Sequence, residues 1–383
     1  MHARLQIAFV VLSVVSYGPP ARAAVLCAKA KRGEPIGVVR IRPACKARET
    51  RVDPATLGLQ VAGPPGAAGA PGAPGAPGAS GADGQLRIYG DGSAGARTIR
   101  ADETFDDPNR QYTDFAVASG VTLTIPSGTV IRCTGTFTND GTIVVATGSP
   151  GAGEAVRDST IDSMYQPPGQ GVALAPAARG ELGPAGNFYS GGFGGTGLTA
   201  AQARSVLEPG VTAGGGGSCG VFSGSAGGGG LTVLAAGPIV NAGSLRADGA
   251  GPGAFGSGGG AGGVVVLASK QRVTNRGVIR AHGGAGGQNG NSDGPGGGGG
   301  GGIVHLLAPV IDDTGAITAE GGAAGNVTGT AGLGLRAGGG AGGSCGGGGG
   351  AGGSVASNNT PLAASPGDTG HVLQTRADPT ALF

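Results

Sequence analysis

Runs of consecutive glycine, at residues 214–217, 227–230, 296–302 and 346–350, break this chain into short apolar pieces. Glycine supplies 89 of the 383 residues, about three times its ordinary share. Trp is absent, Tyr and Phe number 5 and 9, and no aromatic lies between Phe255 and Phe383. A conventional enzyme of this length fills thick layers with bulky side chains, and this chain lacks them. It is not a solvated tail either, since 39% of its residues are apolar and its mean hydropathy is +0.09. The composition predicts a thin, repetitive architecture with a core of small aliphatic residues.

An internal repeat gives that architecture a shape. The apolar segments 231–234, 264–267 and 303–307 each follow a glycine run. A corner comes next, at Asn241 and Gly243, Asn275 and Gly277, or Asp313 and Gly315. An earlier copy has Asn139 and Gly141. Corner-to-corner spacing is 34 residues, then 38. Asn and Asp tolerate a left-handed backbone, and Gly supplies positive φ, so each pair is read as a sharp corner. Alternation after the corner turns Leu245 and Ala247, Ile279 and Ala281, and Ile317 and Ala319 inward. A unit that buries so thin a strip must stack on its neighbours.

The expected fold class is therefore all-β, an irregular parallel β-helix or β-solenoid over residues 85–383 with glycine-rich loops and an insertion at 149–230. An antiparallel sandwich would need hairpins every 8–12 residues, and the chain lacks that pattern. Residues 121–141 read as successive short strands at the start of the stack, with Tyr112, Phe115 and Phe137 closing the core. A short helix is expected over residues 200–207, capped by Thr199 and stopped by Pro209 and Gly210. The glycine runs have two readings, isolated flexible loops or bundled polyproline-II-like helices bonded to one another.

The N-terminal part has a different character. Residues 1–23 read as a cleavable export signal, with an apolar run at 5–15 and the small residues Ala21 and Ala23 before the cut. That run is too short to span a bilayer, and no later stretch is apolar enough, so no transmembrane segment is expected in the mature chain. Residues 24–62 form a basic module, with eight basic and two acidic residues between positions 27 and 51. Residues 63–83 are seven uninterrupted Gly-x-y triplets on Gly63, Gly66, Gly69, Gly72, Gly75, Gly78 and Gly81. Glycine at every third position is what three wound polyproline-II chains require at their axis. Over residues 63–84 the segment is either a homotrimerising rod or a semi-rigid monomeric spacer.

This arrangement of a basic two-cysteine module, residues 25–28 through 44–50, followed by triplets resembles the N-terminal part of bacterial collagen-like surface proteins. The strand-and-glycine pattern from residue 85 onward resembles glycine-rich β-helical proteins of bacterial surfaces and phage tail adhesins. Both resemblances imply an exported protein at the cell surface or beyond it.

Five cysteines remain after processing, and an oxidising compartment permits bridges. Cys27 and Cys45 flank a short strand in a module too small for a core, which makes them the best pair. Cys219 and Cys345 share Gly-Ser-Cys-Gly contexts and are the second candidate, a link between two glycine loops. Cys133 is left as a buried thiol.

Catalytic patterns are not found. The acidic residues Asp102, Glu103, Asp106, Asp107 and Asp114 cluster before a strand, without the spacing of a calcium loop. No Cys-x-x-Cys or nucleophile-elbow motif gives a metal or serine site. Stacking in register would align Asp248, His282 and Glu320 in one outward column, where the carboxylates should raise the His282 pKa. The expectation is an exported structural or adhesive surface protein without catalytic chemistry, metal or cofactor. Its partners would be surface glycans or envelope components, and not nucleic acid. A glycan- or receptor-binding adhesin and a polysaccharide-degrading β-helix enzyme are the alternatives.

Overall fold

The computed structural model of the protein describes residues 25–29, 39–53, 88–107, 109–148, 167–184, 187–210, 213–219, 223–290, 293–329 and 335–383. The expected signal at 1–23 and the triplet glycines Gly63 to Gly81 lie outside them. The chain divides into two compact units, Met1–Gly78 and Ala79–Phe383.

In the first unit, strands Val39–Arg42 and Thr50–Arg51 flank Val25–Ala28 in an antiparallel sheet. So small a sheet has almost no core; Cys27 and Ala28 are buried while Ile41 is 74% exposed. Covalent and polar links compensate. Cys27 and Cys45 form a disulfide with their Cα atoms 5.4 Å apart, and Arg42 pairs with Glu49 at 3.1 Å.

The second unit is built on three parallel sheets of six strands. The chain contributes to them in rotation. Strands Arg97–Ile99, Glu103–Thr104 and Gln111–Tyr112 enter the first, second and third sheets, and Phe115–Val117, Thr122–Ile125 and Thr129–Cys133 lie directly on them. The same order continues to Val310–Asp313, Ala316–Thr318 and His371–Thr375. Register between layers is residue for residue: Ile143 pairs with Leu245, Leu245 with Ile279, and Ile279 with Ile317.

Alternation places the core between the three sheets. Leu123, Ile131, Ile143, Val233, Leu245, Leu267, Ile279 and Leu306 are fully buried there. The expected inward residues Ala247, Ala281 and Ala319 are buried, and Ile317 is partly buried against the core. Aromatic residues fill the first layers. Phe115 stacks on Phe137 at 5.7 Å, meets Phe105 edge-on at 5.8 Å and touches Tyr112 at 5.0 Å. Phe105 joins the three aromatics anticipated from sequence.

The third sheet is covered on both faces, which is why its strands read as continuous apolar runs. Its outer residues Leu234, Val266, Ile303, Leu307 and Leu373 pack with Tyr89, Ala203 and Cys345 in a second buried cluster. The α-helix Ala200–Arg204 lies here, shorter than expected and ending at Ser205. Thr199 and Gln202 cap it reciprocally.

Candidate functional site: a lattice of glycine runs

From the third layer on, the chain leaves the sheets at the same corner of every turn, between its second and third strands. These excursions, residues 146–229, 247–263, 281–302 and 319–370, hold the glycine runs. The runs lie side by side and bond to one another.

The bonding has a period of three residues. Gly259 and Gly262 donate to the carbonyls of Gly297 and Gly300, both at 2.9 Å. Gly297 and Gly300 donate to Gly340 and Gly343, both at 2.9 Å. Gly340 and Gly343 donate back to Gly256 and Gly259, at 2.7 and 2.9 Å. Three parallel runs thus close a cyclic relay. The other N–H groups of the first run point elsewhere: Gly258 donates to Ser218 at 2.9 Å, Gly260 to Ala250 at 3.0 Å and Ala261 to Gly215 at 2.9 Å. This follows from the polyproline-II helix, which has three residues per turn and no internal hydrogen bonds. Buried backbone groups need partners, so each run must recruit neighbours on several sides. Antiparallel neighbours serve equally well, as Gly349, Gly352 and Val355 donate to Gly195, Gly192 and Tyr189.

Glycine is required here for closeness. A Cβ on Gly259, Gly300 or Gly343 would run into the carbonyl of Gly284, Gly347 or Gly215, and none of the three has a positive φ. Of the two readings of the runs, the structure excludes isolated loops, since the runs are bonded to one another with a spacing of three.

The corners rest on a different device from the one expected. Gly141, Gly243, Gly277 and Gly315 are not among the positive-φ residues, nor are Asn139, Asn241, Asn275 or Asp313. The corner glycines stack on each other: a Cβ on Gly243, Gly277 or Gly315 would collide with the carbonyl of Gly141, Gly243 or Gly277. The asparagines form a buried ladder. Asn139 donates its amide to Asn241, Asn241 to Asn275, and Asn275 to the Asp313 carboxylate, each at 2.8 Å.

The Asp248, His282 and Glu320 column is in register, since Gly249 donates to the His282 carbonyl and Gly283 to that of Glu320. Its chemistry departs from expectation. The Arg280 guanidinium holds Asp248 at 2.5 and 2.9 Å, and the backbone N–H of His282 donates to the same carboxylate at 2.9 Å. The His282 ring meets Thr318 Oγ1 at 2.6 Å. Burial lowers the His282 pKa, and the pull of Asp248 and Glu320 does not reverse it. The expected rise is thus corrected: desolvation outweighs carboxylates that are engaged elsewhere or exposed.

Cys219 and Cys345 are not bridged; both are buried thiols, as is Cys133. Cys345 sits in the apolar cluster behind the third sheet, against the Gly263 carbonyl. Cys219 feels Arg179 and Asp293 instead. Burial pushes the thiols of Cys133, Cys219 and Cys345 up to about 12, 11 and 12.

Most of the acidic cluster serves the first layers. Arg97 bridges Glu103 and Asp107, each at 2.6 Å. Tyr112 donates to Asp107, and burial with that carboxylate drives its phenol pKa upward. Asp102 and Asp114 accept from the N–H groups of Thr122 and Thr136 at 2.7 Å, while Asp106 is exposed. Among the described residues no cluster of His, Cys, Asp or Glu could hold a metal ion.

Sequence reading missed His305. It lies on the covered face of the third sheet, 1% exposed, with Nε2 2.8 Å from Thr375 Oγ1. Arg204 donates to that same hydroxyl at 2.9 Å. The hydroxyl has lone pairs enough for both neighbours, and the ring's Nδ1 is buried without a hydrogen-bond partner. Burial, assisted by Arg204, takes the pKa down to about 4.

The open face of the lattice carries a groove of about 550 Å³ beside Phe255, a residue 51% exposed. Compared with known proteins, the chain matches no family model, no curated protein and no solved structure.

Proposed function

We propose that the chain is an exported structural or adhesive protein of the cell surface, without catalytic chemistry. A collagen-like stalk presents a three-sided β-solenoid, and the glycine lattice gives that solenoid a rigid flank. The observation that carries this reading is the closed relay among residues 256–262, 294–300 and 337–343. It fixes backbone rather than side chains, which suits a platform that displays a surface. The Cys27–Cys45 bridge supports an oxidising destination. No described helix is long and apolar enough to cross a membrane.

N-terminal sequencing and protease shaving of intact cells test the reading. The mature chain should begin after Ala23 and be lost from the outside. An uncut chain retained within the cell overturns it. Light scattering of the mature protein then separates the stalk readings, since three chains per particle mean a triple helix and one chain a spacer.

A further inference from the structure

Two neighbouring lattice runs, residues 285–288 and 323–326, and the turn at residues 252–255 meet on the open face described above. With a period of three, positions i and i+3 point the same way. Ala285 and Gln288, and Ala323 and Asn326, are accordingly exposed, with Gly286 and Gly287 buried and Ala324 and Gly325 half-buried between them; Pro252 and Phe255 on the turn are exposed as well. Gly286 donates to the Ala323 carbonyl at 2.9 Å and Asn289 to that of Asn326 at 3.2 Å. Gly256 donates to the Gln288 carbonyl at 2.9 Å, which ties in the turn. The six exposed residues line a groove of about 550 Å³, within the roughly 300–1,000 Å³ of ligand clefts.

Phe255 is held out of the core by its own backbone. Gly256 turns the chain at φ +64°. Ser257 Oγ donates to the Ala254 carbonyl at 2.7 Å and accepts from the Ala254 N–H at 3.3 Å. A Cβ on Gly290 would lie 2.8 Å from Phe255 Cβ and 3.1 Å from Cγ, so that glycine makes room for the ring. The aromatic face is thus positioned before any ligand arrives, which lowers the cost of binding.

The chemistry of the lining selects a ligand class. No charged side chain borders the groove, so an anionic headgroup or acidic sugar would lose its hydration without a counter-charge. Gln288 and Asn326 each offer two donors and an acceptor, which a purely apolar ligand would leave unused. A pyranose ring has an apolar C–H face and a rim of hydroxyls, and it matches an aromatic ring flanked by amides. We propose that this groove binds a neutral hexose unit of a surface polysaccharide, with Phe255 against its C–H face and Gln288 and Asn326 bonding its hydroxyls. The proposal deepens the surface reading and rests on it for where the glycan would be met.

Titration of the purified mature chain with cellobiose, maltose and lactose tests it, with digalacturonic acid and a proline-rich peptide as competitors. At least one neutral disaccharide should bind. Phe255→Ala should weaken that binding by about tenfold or more, while Phe255→Tyr retains it. Both variants should unfold at the wild-type temperature, because the ring is half exposed. The Gln288→Ala and Asn326→Ala exchange should change the order of preference among the three sugars. Absence of binding to all three, binding indifferent to Phe255→Ala, or tighter binding of the acidic sugar or the peptide would overturn the site. The titration uses purified protein and the shaving experiment uses cells, so each reading can fail without the other.

Discussion

The N–H of Gly343 donates to the carbonyl of Gly259 at 2.9 Å, and each of these glycines also stands where a Cβ would strike a third run. Bonding and closeness are therefore one requirement. Gly343→Ala should destabilise the second unit by about 1–3 kcal/mol or more, since the obstacle is backbone and cannot swing aside. Gly251 has open space around its missing Cβ, and Gly251→Ala should be neutral or slightly stabilising. Denaturant unfolding of the two variants distinguishes them; equal effects would show that the runs are not packed as described.

The Asn ladder should respond at its middle. Asn241→Ala leaves the Asn275 side-chain oxygen without its donor and the Asn139 amide with only the Ser244 carbonyl, at a cost of about 1–3 kcal/mol. Asn241→Asp should cost more, because its carboxylate would face the Asn275 oxygen it now donates to. Chemical denaturation reads both, and an Asp variant as stable as the wild type would contradict the ladder.

Acid should loosen the covered face of the third sheet. The folded pKa of His305 is about 4, below the ordinary 6.5. A depressed histidine contributes stability that is complete above 6.5 and is lost as pH falls through 4. The swing is on the order of 3 kcal/mol. Melting curves from pH 7 to pH 4 should fall more steeply for the wild type than for His305→Gln. Parallel curves would mean that the imidazole is already solvated.

Thiol chemistry should separate the two units. At pH 8 the native chain should take up alkylating reagent at none of Cys133, Cys219 and Cys345, and denatured unreduced chain at all three, because burial keeps their thiols protonated. Reduction of Cys27–Cys45 should open the first unit to proteases and leave melting of the second unchanged. Two equivalents of label instead of none in the native chain would indicate exposed loops at Cys219 and Cys345.

The layered sheets were legible in the sequence where side chains carry a pattern. Asn-x-Gly followed by Leu245 and Ala247, repeated at Ile279 and Ala281, marks both a corner and an inward face. The role of Asn241 was not legible in full, because a turn already explains an asparagine there. Its hydrogen bond crosses to Asn275 in the next layer and leaves no local trace. Which glycine run meets which could not be read at all, since Gly259, Gly297 and Gly340 all stand within glycine runs whose side chains carry no pattern. His305 was hidden for another reason. Its partner Thr375 and the Arg204 that donates to the same hydroxyl come from a distant strand and a short helix, so nothing near position 305 announces a buried imidazole.

Because the lattice runs all depart from one corner of the turn, the protein has a natural unit of growth. Duplication of three strands with their excursion would add one layer to each sheet and one or two runs to the lattice at the same time. The excursions already differ in length, from residues 247–263 to residues 146–229, while the strands around them keep register. An excursion can therefore be lengthened or shortened without disturbing the stack that carries it.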